Sequence, residues 1–204
     1  MIVTDSNTST FTPCPAGAYL ASLRRMIDLG TQTSTFEGKT HAARKVLFVW
    51  EVTDPDIFTD TGKPYTVAKR YTRSLHEKSA LRKDLASWRG RDFSADELKS
   101  FDLDAVLGKP CLLSIVHVEK DGKTFANVAA VMRPAKGMTG SDPTEPLVQF
   151  DLAAPDWHTF DALGDRIKAQ IMAAPEYLAA RTAAPSTPAP AGTGFDDMDD
   201  DIPF

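Results

Sequence analysis

The sequence predicts a mainly β domain of five strands with a helical segment between the third and the fourth. Apolar and polar residues alternate through several short segments, an Asp-Gly pair joins two of them, and helical periodicity follows the third. Five strands with a helical insertion at that place is the order of an OB-fold barrel. A generic small sheet of mixed α and β elements is the alternative that the pattern leaves open.

The predicted strands differ in how clearly they alternate. Residues 44–54 alternate best, with a large apolar side chain at every even position from 46 to 52. Gly30 is expected to end the first strand, and the polar residues 33–42 are expected to form a loop. Asp-Gly is the strongest short-range hairpin signal, so residues 121–122 are expected to form the turn between the last two strands. The five predicted strands are residues 18–32, 44–54, 65–75, 109–118 and 123–132.

Other segments predict helices. Residues 76–91 place large apolar side chains on one stripe at helical spacing. Ser94, with Glu97 three residues later, has the spacing of a capping box and marks the start of a short second helix. Residues 155–174 predict one C-terminal amphipathic helix, and Pro175 suits the first position of a further one.

These elements divide the chain into four predicted parts. A flexible arm over residues 1–14 precedes an OB-fold domain over residues 15–181, which ends in the C-terminal helices. Residues 182–194 are rich in Pro, Ala and Gly and too poor in large apolar residues to fold, so a disordered linker is expected. Residues 195–204, FDDMDDDIPF, form an acidic tip.

Charge is distributed unevenly along the chain. The tip carries five of the 28 acidic residues, whereas residues 1–194 carry 23 acidic and 23 basic residues, so the tip accounts for the whole net charge of -5. Within that neutral body, residues 63–94 hold nine basic residues and three acidic ones. A basic middle and an acidic end indicate a polyanionic partner.

The sequence carries no motif typical of a catalytic or metal site. It has no G-x-x-x-x-G-K-[ST] phosphate loop, no G-x-G-x-x-G after a strand and no G-x-S-x-G elbow. Cys14, Cys111 and the four histidines lack metal-ligand spacing. We therefore expect no enzyme activity, cofactor or metal. With neither a leader-like start nor a run of roughly 18 apolar residues, a cytoplasmic protein without a membrane partner is expected.

Basic and aromatic residues occur where an OB fold binds single-stranded nucleic acid. Such proteins follow the phosphates with Lys and Arg and stack bases on aromatic rings, using the second and third strands and two of the loops. We expect Lys69, Tyr71 and Arg73, on one side of the third strand, to supply that mixture. The other predicted DNA-binding residues are Phe36, Lys39, Arg44, Lys45, Lys78, Arg82, Lys120, Lys123 and Phe125.

Each of these residues also has a plainer interpretation. A basic and aromatic strand face is often only solvated, and Lys78 and Arg82 would then simply solubilise a helix. Trp50 and Trp88 are expected in the core, because apolar residues share their faces. Phe36 and Phe125 fit either role.

The end of the chain carries a resemblance to a known family. Asp199, Asp200, Asp201, Ile202, Pro203 and Phe204 match, one for one, the C-terminal peptide of bacterial single-stranded DNA-binding proteins, and the linker is similar too. The body resembles phage and prophage proteins described as single-stranded DNA-binding, through YLASLRRMIDLGTQ, KRYTRSLHEKSALRKDLASWRGRDFS and LGKPCLLSIVH. It departs from the opening pattern of the bacterial proteins, so their tetramer is not expected.

The resemblance implies an OB fold, single-stranded DNA as the ligand, and a tip that docks on replication, recombination or repair proteins. In the family, the terminal Phe enters a hydrophobic pocket and the acids meet basic residues around it. The docking residues so implied are Asp196, Asp197, Asp199, Asp200, Asp201, Ile202, Pro203 and Phe204. A further hypothesis is that the tip competes with DNA for the basic groove. Two alternatives stay open: an adaptor or recombination mediator that uses the tip without binding DNA, and an RNA-binding OB protein.

Overall fold

The computed structural model describes residues 12–36 and 38–182. The predicted tip and nearly all of the predicted arm and linker lie outside these residues. Within them the chain forms six strands and five α-helices, with one 3₁₀ helix at Leu103–Val106. The strands are β1 (Gly17–Phe36), β2 (Lys39–Val52), β3 (Thr66–Thr72), β4 (Pro110–Lys120), β5 (Lys123–Met132) and β6 (Val148–Phe150). The helices are α1 (Ala80–Arg89), α2 (Ala95–Lys99), α3 (Trp157–Asp161), α4 (Asp165–Met172) and α5 (Pro175–Thr182).

The strands form one open, mainly antiparallel sheet. Hydrogen-bonded neighbours follow the order β3-β2-β1-β4-β5, and β6 pairs in parallel with β1. In the described part of the chain no ladder joins β3 to β5, although Cα atoms of the two strands approach within 8 Å. The mainly β class is therefore confirmed, as is the helical segment between the third and fourth strands. The sheet differs from the predicted five-stranded barrel in having a sixth strand and in not being closed.

β1 is longer than predicted because Gly30 bends the strand instead of ending it. The register with β2 shifts between Asp28 and Gly30, and Gly30 has a φ of +66°, a left-handed conformation that glycine adopts readily in a bulge. The polar loop predicted for residues 33–42 is wrong. These residues extend β1 and β2 into a hairpin that is paired as far as Phe36 and Lys39.

Two apolar cores cover the two faces of the β1–β2 pair. The inner core contains Phe48 and Trp50, both fully buried, and α1 closes it with the predicted stripe of Leu81, Leu85 and Trp88. The core positions expected for the two tryptophans are thus confirmed. On the other face, Ile27 and Leu47 pack with side chains of the segment from β6 to α5. The middle of the β1–β2 pair is therefore a central layer, buried on both sides, whereas the end of the hairpin, residues 33–35 and 39–42, is exposed.

The helices follow local signals in most places. α2 begins with the predicted capping box of Ser94 and Glu97, and α5 begins at Pro175 as predicted. The C-terminal segment differs, because residues 162–164 interrupt it and produce α3 and α4 instead of one helix. In residues 12–36 and 38–182, no helix combines the length and the apolar character that crossing a membrane requires.

Candidate nucleic-acid interface

Tyr71 on β3, the residue predicted to stack on bases, has its side chain in the interior of the protein. Tyr71 is 2% exposed, and its ring packs edge-on against Phe48 with the ring centres 5.3 Å apart. Its hydroxyl donates a 2.7 Å hydrogen bond to Asp84 on α1. Burial, followed by the charge of Asp84, raises the pKa of Tyr71 far above its usual range. The ring offers no open face to a base, so the predicted role of Tyr71 in stacking is corrected to one in the core.

The two cations predicted to act beside Tyr71 are paired within the chain. Lys69 Nζ lies 2.7 Å from a carboxylate oxygen of Asp84. The guanidinium of Arg73 lies 3.3 Å from Asp28 and 3.6 Å from Asp151. This side of β3 therefore presents little free positive charge to a polyanion.

Arg44 belongs to the same group of side chains as Arg73. Its guanidinium lies 2.5 Å from Asp28 and 3.4 Å from Asp151, and the hydrogen bond to Asp28 raises the pKa of Arg44. The Asp28 side chain is only 4% exposed, and a buried carboxylate requires such partners. The two arginines thus stabilise the fold and neutralise two acids.

Four aspartates are among the residues that line the cleft beside this cluster. The cleft has a volume of about 230 Å³, and Asp102 and Asp104 line it together with Asp28, Asp151 and Arg73. Because carboxylates repel phosphate, the cleft does not suit a nucleic-acid backbone. Among the residues that the structure describes, no group of three or more His, Cys, Asp or Glu side chains is placed to hold a metal ion.

The other predicted cations of the middle segment differ in their environment. Arg82 pairs with Asp92 at 3.1 Å, and Lys45 Nζ donates a 2.7 Å hydrogen bond to the Thr72 hydroxyl. Lys39 and Lys78 are exposed, and neither forms an ion pair with any residue of the described ranges. These two lysines are thus available to phosphates.

The residues predicted around the Asp-Gly turn lie together on a projecting hairpin. Positive φ angles of 52° at Asp121 and 69° at Gly122 confirm the expected two-residue turn. All residues from 116 to 125 are exposed, whereas Ile115 and Val128, at the base of the hairpin, are buried. We call residues 116–127 the ribbon, because they continue the β4–β5 pair past the buried residues Ile115 and Val128.

One face of the ribbon combines apolar and basic groups. Successive cross-strand pairs alternate between the two faces, which places Phe125 and its partner Val118 on the same side as Lys120 and Lys123. Phe125 is 45% exposed and Val118 is 43% exposed. Neither lysine forms an ion pair within the described part of the chain. The acids of the ribbon lie on the opposite face and in the turn, and they are Glu119 and Asp121.

Arg70, an exposed cation on β3, was not among the predicted DNA-binding residues. Arg70 pairs with Leu47 across the β2–β3 ladder and is exposed on the outer side of β3. The alternation of β3 could have indicated its exposure, because a strand that buries Val67 and Tyr71 on one face places Arg70 on the other. Phe36 ends β1, and the prediction for its side chain falls outside what the structure describes. The same holds for the predicted docking residues, which all lie within the tip.

Comparison with protein-family models finds no match to this chain, and comparison with curated proteins finds none either. A functional proposal therefore rests on the surfaces of the protein and on the motifs of its sequence.

Proposed function

We propose that the protein binds and protects single-stranded DNA with little sequence preference during phage-type replication and recombination. The observation that carries the proposal is the ribbon face on which Phe125, 45% exposed, lies on the same side as Lys120 and Lys123. An exposed ring can stack on any base, and neighbouring ammonium groups can reach the phosphates on either side of it. That combination holds single strands without reading their sequence.

The strand order supports an OB fold as part of the proposal. β3 and β5 end the hydrogen-bonded order, yet they approach each other in space, as the strands of a partly open barrel do. In that fold the face of the second and third strands and the two neighbouring hairpins bind the nucleic acid. Lys39 on the β1–β2 hairpin, Arg70 on the outer side of β3 and the ribbon would then contact one strand of DNA.

The C-terminal helices limit where DNA can cross the sheet. Side chains from β6 to α5 cover the outer face of β1 and the middle of β2, including Ile27 and Leu47. The outer face of β3 stays open, since Thr66, Ala68 and Arg70 are exposed. The proposed path therefore runs along the β3 side.

The second part of the proposal concerns the acidic tip. By its resemblance to the bacterial peptide, the tip docks on replication, recombination or repair proteins. Physical chemistry agrees, because an apolar segment, Ile202 to Phe204, follows five aspartates. The acids steer the peptide toward basic surfaces, and the apolar segment anchors it in a pocket.

Titrations with labelled oligo-dT, oligo-U and duplex DNA at two salt concentrations test the DNA-binding proposal. We expect the tightest binding with oligo-dT and a loss of affinity as salt rises, because binding to phosphates releases counterions. Equal or tighter binding of oligo-U would instead support an RNA-binding protein. If no oligonucleotide binds at low salt, the result would instead support an adaptor or recombination mediator that uses the tip without binding DNA.

Two variants separate the functions of the tip. Deleting residues 195–204 should abolish partner docking and, if the tip competes with DNA for the proposed binding face, tighten oligo-dT binding. Phe204→Ala keeps all five aspartates, so it should weaken docking alone. Unchanged DNA affinity of the deletion variant at every salt concentration would contradict the competition.

A further inference from the structure

β5 has a free edge in the ribbon. It is the last strand in the hydrogen-bonded order, so one side of its backbone has no partner strand in the described part of the chain. Lys123, Thr124, Phe125 and Asn127 in its outer part are exposed, whereas Ala126 is partly buried against the core. Unpaired backbone N–H and C=O groups along such an edge form a template for another strand.

The turn identifies the amides that point outward. In a two-residue hairpin the flanking residues, here Lys120 and Lys123, form a hydrogen-bonded pair, and such pairs alternate along the antiparallel ladder. The register from the turn to Val116–Asn127 is regular. The N–H groups of Thr124 and Ala126 therefore point away from β4.

This edge lacks the features that usually prevent pairing. The segment from residue 123 to residue 128 contains no proline, and the only register shift between β4 and β5 lies at the base of the ribbon, between Ser114 and Ile115. Its single charged residue is Lys123, at the end next to the turn. Natural edge strands are commonly protected by prolines, bulges or several charges.

The ribbon also exposes an apolar face, which favours association. Val116, Val118 and Phe125 expose 41%, 43% and 45% of their surface, and all three lie on one face. An isolated two-stranded hairpin is only marginally stable in water, and three or more strands with one apolar face are stable, so a projecting hairpin gains from a further strand. A further strand at the β5 edge would extend both the ladder and that face.

Charge favours a second copy in the antiparallel orientation. The ribbon holds two lysines and two acids, so two copies meet without net repulsion. Antiparallel pairing places the Lys123 side chains of the two copies at opposite ends of the joined edge, whereas parallel pairing would place them side by side. An antiparallel arrangement also gives the self-complementary two-fold contact that is commonest in homodimers.

We propose that two copies of this chain pair through the β5 edge of the ribbon, residues 123–127, to form one four-stranded antiparallel ribbon. The two-fold axis lies perpendicular to the sheet, so the basic-apolar faces of both copies lie on the same side. The pairing is independent of the proposed function; only its consequence, a DNA-binding face of double size, rests on that function.

Thr124→Pro tests the pairing. It removes an outward amide while keeping the ladder to β4, in an orientation that edge strands tolerate. Thr124→Ala is the matched control, because it removes the side chain and keeps the amide. In sedimentation velocity without DNA, over a wide range of protein concentration, the full chain and Thr124→Ala should dimerise and Thr124→Pro should stay monomeric. A monomeric wild type, or a Thr124→Pro variant that dimerises like the wild type, would overturn the inference.

Amide hydrogen exchange of the wild-type chain gives a second measurement that needs no variant. The amides of Thr124 and Ala126 should exchange more slowly at high than at low protein concentration. Equal rates at both concentrations, or protection only after oligo-dT is added, would overturn the inference. A chain that dimerises through this edge and binds no oligo-dT contradicts the proposed function alone. A monomeric chain that binds oligo-dT contradicts the pairing alone.

Discussion

The hydroxyl of Tyr71 donates a 2.7 Å hydrogen bond to the same Asp84 oxygen that lies 2.7 Å from Lys69 Nζ. One carboxylate, only 15% exposed, thus links β3 to α1 through two donors. The residues that the sequence placed on a DNA-binding face hold the fold together instead. The consequences for stability and for DNA binding can be measured separately.

Removing the Tyr71 hydroxyl should affect stability and not binding. Tyr71→Phe keeps the ring in the core and removes one donor to a partly buried carboxylate, which should lower the free energy of unfolding by about 1–3 kcal/mol. Urea denaturation measures this loss. The affinity for oligo-dT, followed by fluorescence anisotropy, should not change. A folded variant that binds DNA more weakly would indicate that Tyr71 belongs to the binding surface after all.

The error on β3 has a physical cause. A period of two separates the faces of a strand, but it does not say which face is buried. Lys69 and Arg73 made one face look solvated, while Asp84 on α1 and Asp28 on β1, far away in sequence, neutralise them. Ion pairs between distant segments leave no local signal. Apolar residues do carry one, and Val67 next to Tyr71 on that face indicated burial.

Features that depend on adjacent residues were predicted well, because their signal lies within a short stretch of sequence. The turn at residues 121–122, the capping box at Ser94 and the helix start at Pro175 depend on a few adjacent residues, and all three are confirmed. The bulge at Gly30 and the short strand β6 depend on packing against remote segments, and both were missed. In the candidate site, the turn brings Lys120, Lys123 and Phe125 together on one face of the ribbon, and their part in DNA binding stays a prediction.

Phe125 is the aromatic side chain on which the DNA-binding proposal rests. Phe125→Ala should weaken oligo-dT binding by about 1–3 kcal/mol, because a stacked base loses its platform. Stability should change little, since the ring is half exposed. Phe58→Ala is the matched control, since Phe58 is similarly exposed, at 46%, in the β2–β3 connection. Equal effects of the two substitutions would argue against stacking on the ribbon.

The ribbon lysines should determine part of the salt dependence. Replacing Lys120 and Lys123 by Ala should reduce the slope of log K against log salt by about 0.7 for each phosphate contact that is lost. The same double replacement at Lys109 and Lys136, which are also exposed, serves as the control. Anisotropy titrations across a salt series give both slopes. Equal slopes for the ribbon variant and the wild type would show that these lysines do not contact phosphates.

Gly30 joins the bulge of β1 to the packing of the C-terminal helices. An added Cβ would lie 2.5 Å from the Ala174 Cβ and 2.9 Å from Leu152 Cδ1. Gly62 has a similar φ, +72°, and nothing lies within 4 Å of its added Cβ. Gly62→Ala should therefore cost only the left-handed conformation, about 1–2 kcal/mol. Gly30→Ala should cost about 1–3 kcal/mol more, because the helices must shift away from the strand. Urea denaturation of both variants measures the difference. Equal losses would mean that Gly30 serves the backbone conformation alone, and that the helices adjust to a methyl group without cost.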